Sequence, residues 1–268
     1  MDFGVYLHFP YCLSKCPYCD FASQAAPVPH RRYAAAVAAE LALRPEALAG
    51  RLSRSLYLGG GTPSLWAPEA LGEALDVLRR TIAFQPSAEW TIEANPGASD
   101  AGRFTAFRGL GFDRLSIGVQ SFDPSTLKAL GRVHDGEQAE RAFAAARAAG
   151  FANVSLDLMH GAPGQTVEQA RADAARAVAL GPEHLSCYAL MIEGLEIRTP
   201  LARAVDEGRV ELPDDELQWQ MGRAVAEELG RGGLARYEIS NWARPGRESR
   251  HNTLYWTGAE YLGLGCGA

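Results

Sequence analysis

Three cysteines lie within eight residues near the start of the 268-residue chain, at Cys12, Cys16 and Cys19. A short loop with this spacing can present three thiolates to one cubic iron–sulfur cluster, which normally takes four. Because the loop holds no fourth cysteine, one iron would stay open to another ligand. Structural zinc prefers a closed set of four ligands, and His8 would complete a Cys3His site. Zinc therefore remains an alternative, as does a loop that binds no metal.

The composition argues against several other classes of protein. Five cysteines, in a chain with no recognisable export signal, make a disulfide framework the weaker interpretation. Hydrophobic residues make up 47% of the chain and the net charge is -6, so neither nucleic acid nor an anionic membrane is expected as the main partner. No apolar run is long enough to span a bilayer. We therefore predict a cytoplasmic location, and transient association with a membrane stays open.

Short apolar runs alternate with longer alanine-rich segments of helical period. The predicted strands are 4–9, 55–58, 89–94, 114–119, 153–158 and 184–188. The predicted helices are 30–48, 68–81, 100–108, 136–149 and 167–180, and then 201–208 and 214–230. Six repeats of strand and helix predict an α/β fold with a parallel sheet. A barrel and a doubly wound open sheet would both satisfy this pattern.

Glycines and polar residues follow the predicted strands, where functional loops lie in both architectures. Gly59, Gly60 and Gly61 come directly after strand 55–58, and their lack of side chains lets the backbone approach a ligand. Four polar side chains are further candidates: Glu93 and Gln120 end their strands, Asp157 interrupts the apolar run 154–159, and Arg132 lies in segment 131–134. Each of these four, taken alone, is as readily a rim charge or part of a structural ion pair as a ligand contact.

The cysteine spacing resembles the CxxxCxxC signature of radical S-adenosylmethionine (SAM) enzymes, and segment 6–21 is similar to the oxygen-independent coproporphyrinogen III oxidase family. The resemblance implies a [4Fe–4S] cluster on Cys12, Cys16 and Cys19, with SAM at the open iron. It also implies a partial (β/α)6 barrel, with a core over residues 1–195. A helical extension over 196–268 would then lead to a C-terminal domain that is largely missing from the chain. The residues implied to contact one or two SAM molecules are Tyr6, Tyr18, Gly60, Gly61, Thr62, Glu93, Gln120, Arg132 and Asp157.

Two further features distinguish the branches of this family. The oxidases resemble CxxxCxxCxC, whereas Phe21 stands at the position of the last cysteine here. The resemblance therefore favours the HemW-type haem chaperones, which bind haem and deliver it to respiratory proteins. Segment 251–256 is similar to the HNxxYW motif of that branch, so His251 is the expected ligand of haem iron.

Two other functions remain as alternatives. The first is an oxidase or another enzyme that acts on a porphyrin-type substrate, in which reductive cleavage of SAM yields a 5′-deoxyadenosyl radical. The second is a zinc-stabilised binding module.

Overall fold

The computed structural model describes residues 3–44, 50–97, 101–192 and 198–268. Its main sheet contains six consecutive parallel strands, which confirm the six predicted ones. They are β1 (Phe3–Phe9), β4 (Ser53–Gly60), β5 (Phe84–Ala94), β6 (Arg114–Gln120), β7 (Val154–His160) and β8 (His184–Ala189). Five shorter strands accompany them: β2 (Tyr11–Cys12), β3 (Gln24–Ala25), β9 (Ala235–Arg236), β10 (Asn241–Ala243) and β11 (Tyr261–Leu264).

Helices connect the parallel strands, as the alternation predicts, and three more helices follow β8. They are α1 (His30–Ala42), α2 (Pro68–Thr81), α3 (Ala101–Gly109), α4 (Pro124–Ala129), α5 (Gly136–Ala148), α6 (Val167–Leu180), α7 (Pro200–Asp206), α8 (Asp215–Arg231) and α9 (Arg250–Trp256). The predicted helix 30–48 ends early, at Ala42, and its residues 45–48 lie outside the described part, as does Asp100. The sequence analysis missed the short helices α4 and α9.

Local sequence signals explain where the helices begin and end. Helices α5 and α6 each start with a capping box, in which Asp135 or Thr166 exchanges hydrogen bonds with the residue three positions later. Helix α6 ends at Gly181, which adopts the left-handed conformation that glycine tolerates best.

The two faces of the sheet differ sharply in chemistry. The outward side chains are apolar and form one core with the helices, as Leu115, Ile117 and Val119 of β6 illustrate. The alternate residues of the same strand, Arg114, Ser116 and Gly118, line an internal cavity. Side chains from β1 to β8 share this cavity, so the sheet curls around it as a partial barrel. Charged side chains such as Glu93, Arg114 and Asp157 line this interior, whereas (β/α)8 barrels usually fill theirs with branched apolar side chains.

The end strands of the nine-stranded sheet come from the last quarter of the chain. Strand β11 pairs in parallel with β1, and β10 pairs antiparallel with β8 and with the outermost strand β9. The division into 1–195 and 196–268 stays a prediction, but both parts contribute to one sheet. No helix in the described ranges is both long and apolar enough to cross a membrane.

Candidate functional site

The interior cavity has a volume of about 560 Å³. It extends into the barrel from the loop that carries Cys12, Cys16 and Cys19, which we call the cysteine loop. Every site residue predicted from the sequence lies on its wall: Tyr6, Cys12, Cys16, Tyr18, Cys19, Gly60, Gly61, Thr62, Glu93, Gln120, Arg132, Asp157 and His251. These residues come from different strands and loops, because the carboxyl ends of parallel strands meet at one end of a barrel. The structure thus brings the predicted residues together, while the role of each one stays a prediction.

The cysteine loop follows β1 and is braced from two sides. The Lys15 ammonium donates hydrogen bonds to the carbonyls of Phe21 and Ser23, at 2.9 and 3.0 Å, and so closes the loop on itself. At the start of α7, the amide of Leu201 donates to the carbonyl of Pro17 at 2.8 Å. A loop held in this way presents its thiols in a defined arrangement.

Cys12, Cys16 and Cys19 are half-buried free thiols on the cavity wall. In the described ranges, no three His, Cys, Asp or Glu side chains are gathered closely enough to hold one metal ion. Each thiolate of a cubic cluster binds a different iron, so its ligands stand further apart than those of a single ion. Three soft thiolate donors beside a cavity therefore fit a [4Fe–4S] cluster with one iron facing the cavity.

His8 does not support the zinc alternative. Its Nε2–H donates to the carbonyl of Ala22 at 2.8 Å, and its Nδ1 accepts from the Tyr6 hydroxyl at 3.1 Å. Both ring nitrogens are occupied, and the side chain is buried. A Cys3His site would have to break both hydrogen bonds.

The glycine loop at the end of β4 packs directly against the cysteine loop. The amide of Gly61 donates to the carbonyl of Phe9 at 2.7 Å, and that of Thr62 donates to the carbonyl of Tyr11 at 2.8 Å. A Cβ atom on Gly61 would lie 2.7 Å from the Tyr11 oxygen and 3.0 Å from the Cys12 sulfur. Glycine is required here by this close approach.

Glu93 lies beneath the glycine loop and is enclosed by the cavity wall. Its carboxylate accepts hydrogen bonds from the Tyr57 hydroxyl at 2.7 Å and from the amide of Gly60 at 3.1 Å. Burial raises the pKa of Glu93 to about 7, although these two hydrogen bonds oppose the shift. A carboxylate held near its ionisation point would gain from a cationic ligand.

Asp157 occupies the next part of the wall, in the middle of β7. It accepts hydrogen bonds from the Ser116 hydroxyl at 3.0 and 3.2 Å. Burial raises the pKa of Asp157 above its ordinary value. The negative charge of Asp157 also raises the pKa of Glu93 by repulsion.

Gln120 ends β6 in an unusual conformation. It is the one non-glycine residue with positive φ in the described part of the chain, at 66°. The pairing of β6 with β7 shifts by one residue between Gly118 and Gln120. This bulge redirects the end of the strand beside the cavity, and such strained positions concentrate at functional sites.

His251 lies at the start of α9 and is buried against β1 and β4. Its Nδ1 is hydrogen-bonded to the Ser55 hydroxyl at 2.8 Å and its Nε2 to the Tyr255 hydroxyl at 3.0 Å. The ring stacks on Tyr57 with a centroid distance of 5.2 Å and on Tyr6 at 6.2 Å. Burial lowers the pKa of His251 to about 4, so the imidazole is neutral at pH 7. A neutral ring is suited to iron, but ligation requires one of these two nitrogens to be released.

Several further residues on the cavity wall were not predicted from the sequence. Asn95 and Tyr57 contact predicted site residues, and Arg114 is a buried cation whose Nε has no hydrogen-bond partner in the described structure. The signal was present as a period-two alternation. In β6, for example, polar or small residues occupy positions 114, 116 and 118, between apolar ones.

The chain is similar to several known proteins. The Radical SAM superfamily model matches residues 6–177. The chain is 40% identical over 270 residues to the heme chaperone HemW of Escherichia coli, covering 99% of this chain and 69% of that protein. It is 41% identical over 270 residues to the heme chaperone HemW of Mycobacterium tuberculosis, covering 99% and 68%.

Solved structures show the same fold. The coproporphyrinogen III oxidase HemN of Escherichia coli, described as a radical SAM enzyme, superimposes with a TM-score of 0.83 at 25% identity. That match covers 98% of this chain and 63% of the HemN chain, so this chain spans less than two thirds of HemN. With the family model and the curated relatives in agreement, the chain belongs to the radical SAM superfamily and, within it, to the HemW family.

Proposed function

We propose that this chain is a radical SAM-type haem chaperone of the cytoplasm. It binds a [4Fe–4S] cluster, SAM and haem, and it transfers haem to acceptor proteins such as respiratory proteins. The curated relatives named heme chaperones support this proposal, since they align with nearly the whole chain. Phe21, which stands where the oxidase pattern has a further cysteine, also supports it.

One observation carries the proposal: three free thiols and two enclosed carboxylates line the same cavity. Cys12, Cys16 and Cys19 supply the donors for the cluster, which when bound offers an open iron and one-electron chemistry. Glu93 and Asp157 supply negative charge in a region of low dielectric constant. SAM carries a sulfonium and an ammonium group, so its binding would offset the cost of ionising both carboxylates.

The backbone of the glycine loop serves the polar end of SAM in this proposal. The amides of Gly60 and Gly61 already donate to Glu93 and Phe9, so the loop would contact the SAM ammonium group through its carbonyl oxygens and the Thr62 hydroxyl. Tyr6 and Tyr57 stack at a centroid distance of 6.1 Å and present aromatic surface to the same cavity. SAM is thereby held between a polar loop and an aromatic wall.

Haem binding is assigned to the α9 region in this proposal. His251 is the candidate axial ligand, and the neighbouring Tyr255 and Trp256 are 46% and 54% exposed. Exposed aromatic side chains beside a buried histidine offer surface for a porphyrin face. The Tyr255 hydroxyl must leave the His251 Nε2 before that nitrogen can bind iron.

An anaerobic haem titration tests this function. We expect the reconstituted protein to hold about four iron and four sulfide per chain, as one [4Fe–4S] cluster requires. We further expect it to bind haem, with binding lost in His251→Ala and kept in His30→Ala, a histidine on α1 outside the cavity. The Cys16→Ala variant, which lacks a complete cluster site, separates haem binding from cluster binding. Stoichiometric zinc without sulfide would contradict the proposal.

A porphyrin-oxidising enzyme is the second candidate, because the structural similarity to coproporphyrinogen III oxidase extends over almost the whole chain. Incubation of the loaded protein with coproporphyrinogen, SAM and a reductant distinguishes the two functions. We expect no protoporphyrinogen. Its formation at a rate that depends on the cluster would replace the chaperone assignment with this enzyme activity.

A further inference from the structure

Arg132 binds to other parts of the protein, although the sequence resemblance predicts that it contacts SAM. Its Nη1 donates to the Cys16 sulfur at 3.5 Å. Its Nη2 donates to the Asn95 Oδ1 at 2.7 Å and to the Gly118 carbonyl at 2.8 Å. Both hydrogens of Nη2 are therefore used inside the protein, and an N–H of Nη1 is directed at the cysteine loop.

Asn95, at the end of β5, connects Arg132 to the glycine loop. Its Oδ1 accepts from Arg132, and its Nδ2 donates to the Thr62 hydroxyl at 2.9 Å. An arginine can only donate, so the orientation of the Asn95 amide is determined by these two partners. A Cβ atom at Gly118 would lie 2.6 Å from the Asn95 Oδ1, so the glycine makes room for this contact.

We infer that Asn95 is a positioning residue that holds the Arg132 guanidinium on the Cys16 sulfur, and that this hydrogen bond raises the reduction potential of the iron–sulfur cluster. The inference rests on the proposed function, since it requires the cluster. One-electron reduction by an external reductant adds one negative charge to the cluster and its thiolates. A cation that donates to a thiolate stabilises the more negative state more strongly, and hydrogen bonds to sulfur are known determinants of cluster potential.

The test is a double-mutant cycle on the reduction midpoint, measured without SAM by EPR-monitored titration with dithionite. Arg132→Gln removes the charge, and we expect its midpoint potential to be more negative than that of the wild type by at least 59 mV. For one electron, this shift corresponds to a tenfold change in the reduction equilibrium. Asn95→Leu keeps the branched side-chain shape and removes both side-chain hydrogen bonds, so a shift in the same direction follows. The double variant is expected to shift no further than Arg132→Gln, because Asn95 acts through Arg132.

The matched control is Lys128→Met, which removes a positive charge from an exposed position on α4 and should leave the midpoint unchanged. If Asn95→Leu does not fold, Asn95→Ala removes the same hydrogen bonds without adding bulk. The SAM dissociation constant is measured for each variant as a second readout.

Several results would overturn the inference. An unchanged midpoint potential in variants that carry the cluster would overturn it. So would a double variant whose shift equals the sum of the two single shifts. Loss of SAM affinity in Arg132→Gln at an unchanged midpoint would make Arg132 a SAM contact instead. A wild-type chain that takes up no cluster would refute the proposed function as well, so the two failures are distinguishable.

Discussion

At the scale of single residues, the chemistry of the cavity depends on groups whose ionisation is shifted by enclosure. Glu93 and Asp157 have raised pKa values, and burial raises that of the Tyr57 hydroxyl well above its usual value. Tyr57 therefore remains a hydrogen-bond donor to Glu93 throughout the physiological pH range. The Glu93 carboxylate, by contrast, changes protonation near pH 7, because burial raises its pKa to about 7.

The raised pKa of Glu93 predicts a measurable pH dependence of the free energy of unfolding. Its pKa rises from 4.5 to about 7 on folding, so the folded state binds more protons than the unfolded state between these values. The free energy of unfolding should therefore fall as the pH rises from 5 to 8, by at most about 3 kcal/mol and by less where water in the cavity screens the carboxylate. Urea denaturation of the wild type and of Glu93→Gln measures this contribution. An identical pH dependence in both proteins would show that Glu93 titrates normally.

The hydrogen bond between the Tyr255 hydroxyl and the His251 Nε2 should weaken haem binding, because iron has to replace it. Tyr255→Phe removes the hydroxyl group from the Nε2 atom, so iron binding no longer has to replace that hydrogen bond. We expect haem to bind roughly fivefold to tenfold more tightly, corresponding to about 1 kcal/mol. Absorption titration checks the change. Tyr261→Phe is the matched control, because Tyr261 contacts the Tyr255 ring edge-on at 5.1 Å. Weaker binding in Tyr255→Phe would indicate that the hydroxyl itself contacts haem.

At the scale of elements, the glycine loop and the cysteine loop act as one unit. Backbone hydrogen bonds join Thr62 to Tyr11 and Gly61 to Phe9 at the end of β1. A Cβ atom on Gly61 would lie against the Tyr11 carbonyl and the Cys12 sulfur. The end of β4 therefore helps to determine where the first cysteine lies.

Gly61→Ala tests this coupling. The new methyl group would overlap the Tyr11 carbonyl and press on the Cys12 sulfur, so the cysteine loop must move. We expect a loss of roughly 1–3 kcal/mol in the free energy of unfolding. We also expect less iron and sulfide after reconstitution, measured by elemental analysis. Gly109→Ala, at the end of α3 with no atom within 4 Å of the new Cβ, should keep the wild-type cluster content.

At the scale of the whole molecule, the partial barrel is completed by the last part of the chain. Strands β11 and β10 cover the edges of β1 and β8. Helix α8 packs on α6, where Arg171 forms ion pairs with Glu227 and Glu228 at 3.1 and 2.9 Å. The same part of the chain contributes α9 and therefore His251.

A fragment of residues 1–195 should consequently be unstable by itself. It would expose both sheet edges and the apolar surface that Met221, Val225 and Leu229 of α8 cover. We expect the fragment to bind a hydrophobic dye and to lack the cooperative thermal transition of the full chain. Circular dichroism and dye fluorescence measure both properties. A cooperative transition together with cluster uptake in the fragment would establish 1–195 as an independent domain.

The fold and much of the candidate site could be predicted from the sequence, because the signals for both are local. Strands and helices follow from periodicity, and the thiols and the glycine loop occupy short contiguous motifs. The helix caps at Asp135 and Thr166 also depend on residues only three positions apart. Such signals predict which groups are present and at which end of the strands they lie.

The sequence by itself determined the six-stranded parallel architecture and the three thiols, and its resemblance to a known family indicated many, but not all, of the residues around the cavity. The tertiary structure decided what those residues contact. Arg132 lies on Cys16, which is 116 positions away, and His251 is hydrogen-bonded to Ser55, which is 196 positions away. It also decided that the polar side of the strands faces inward, which alternation alone leaves open. These outcomes depend on strand register and barrel curvature, which arise only when all elements pack together.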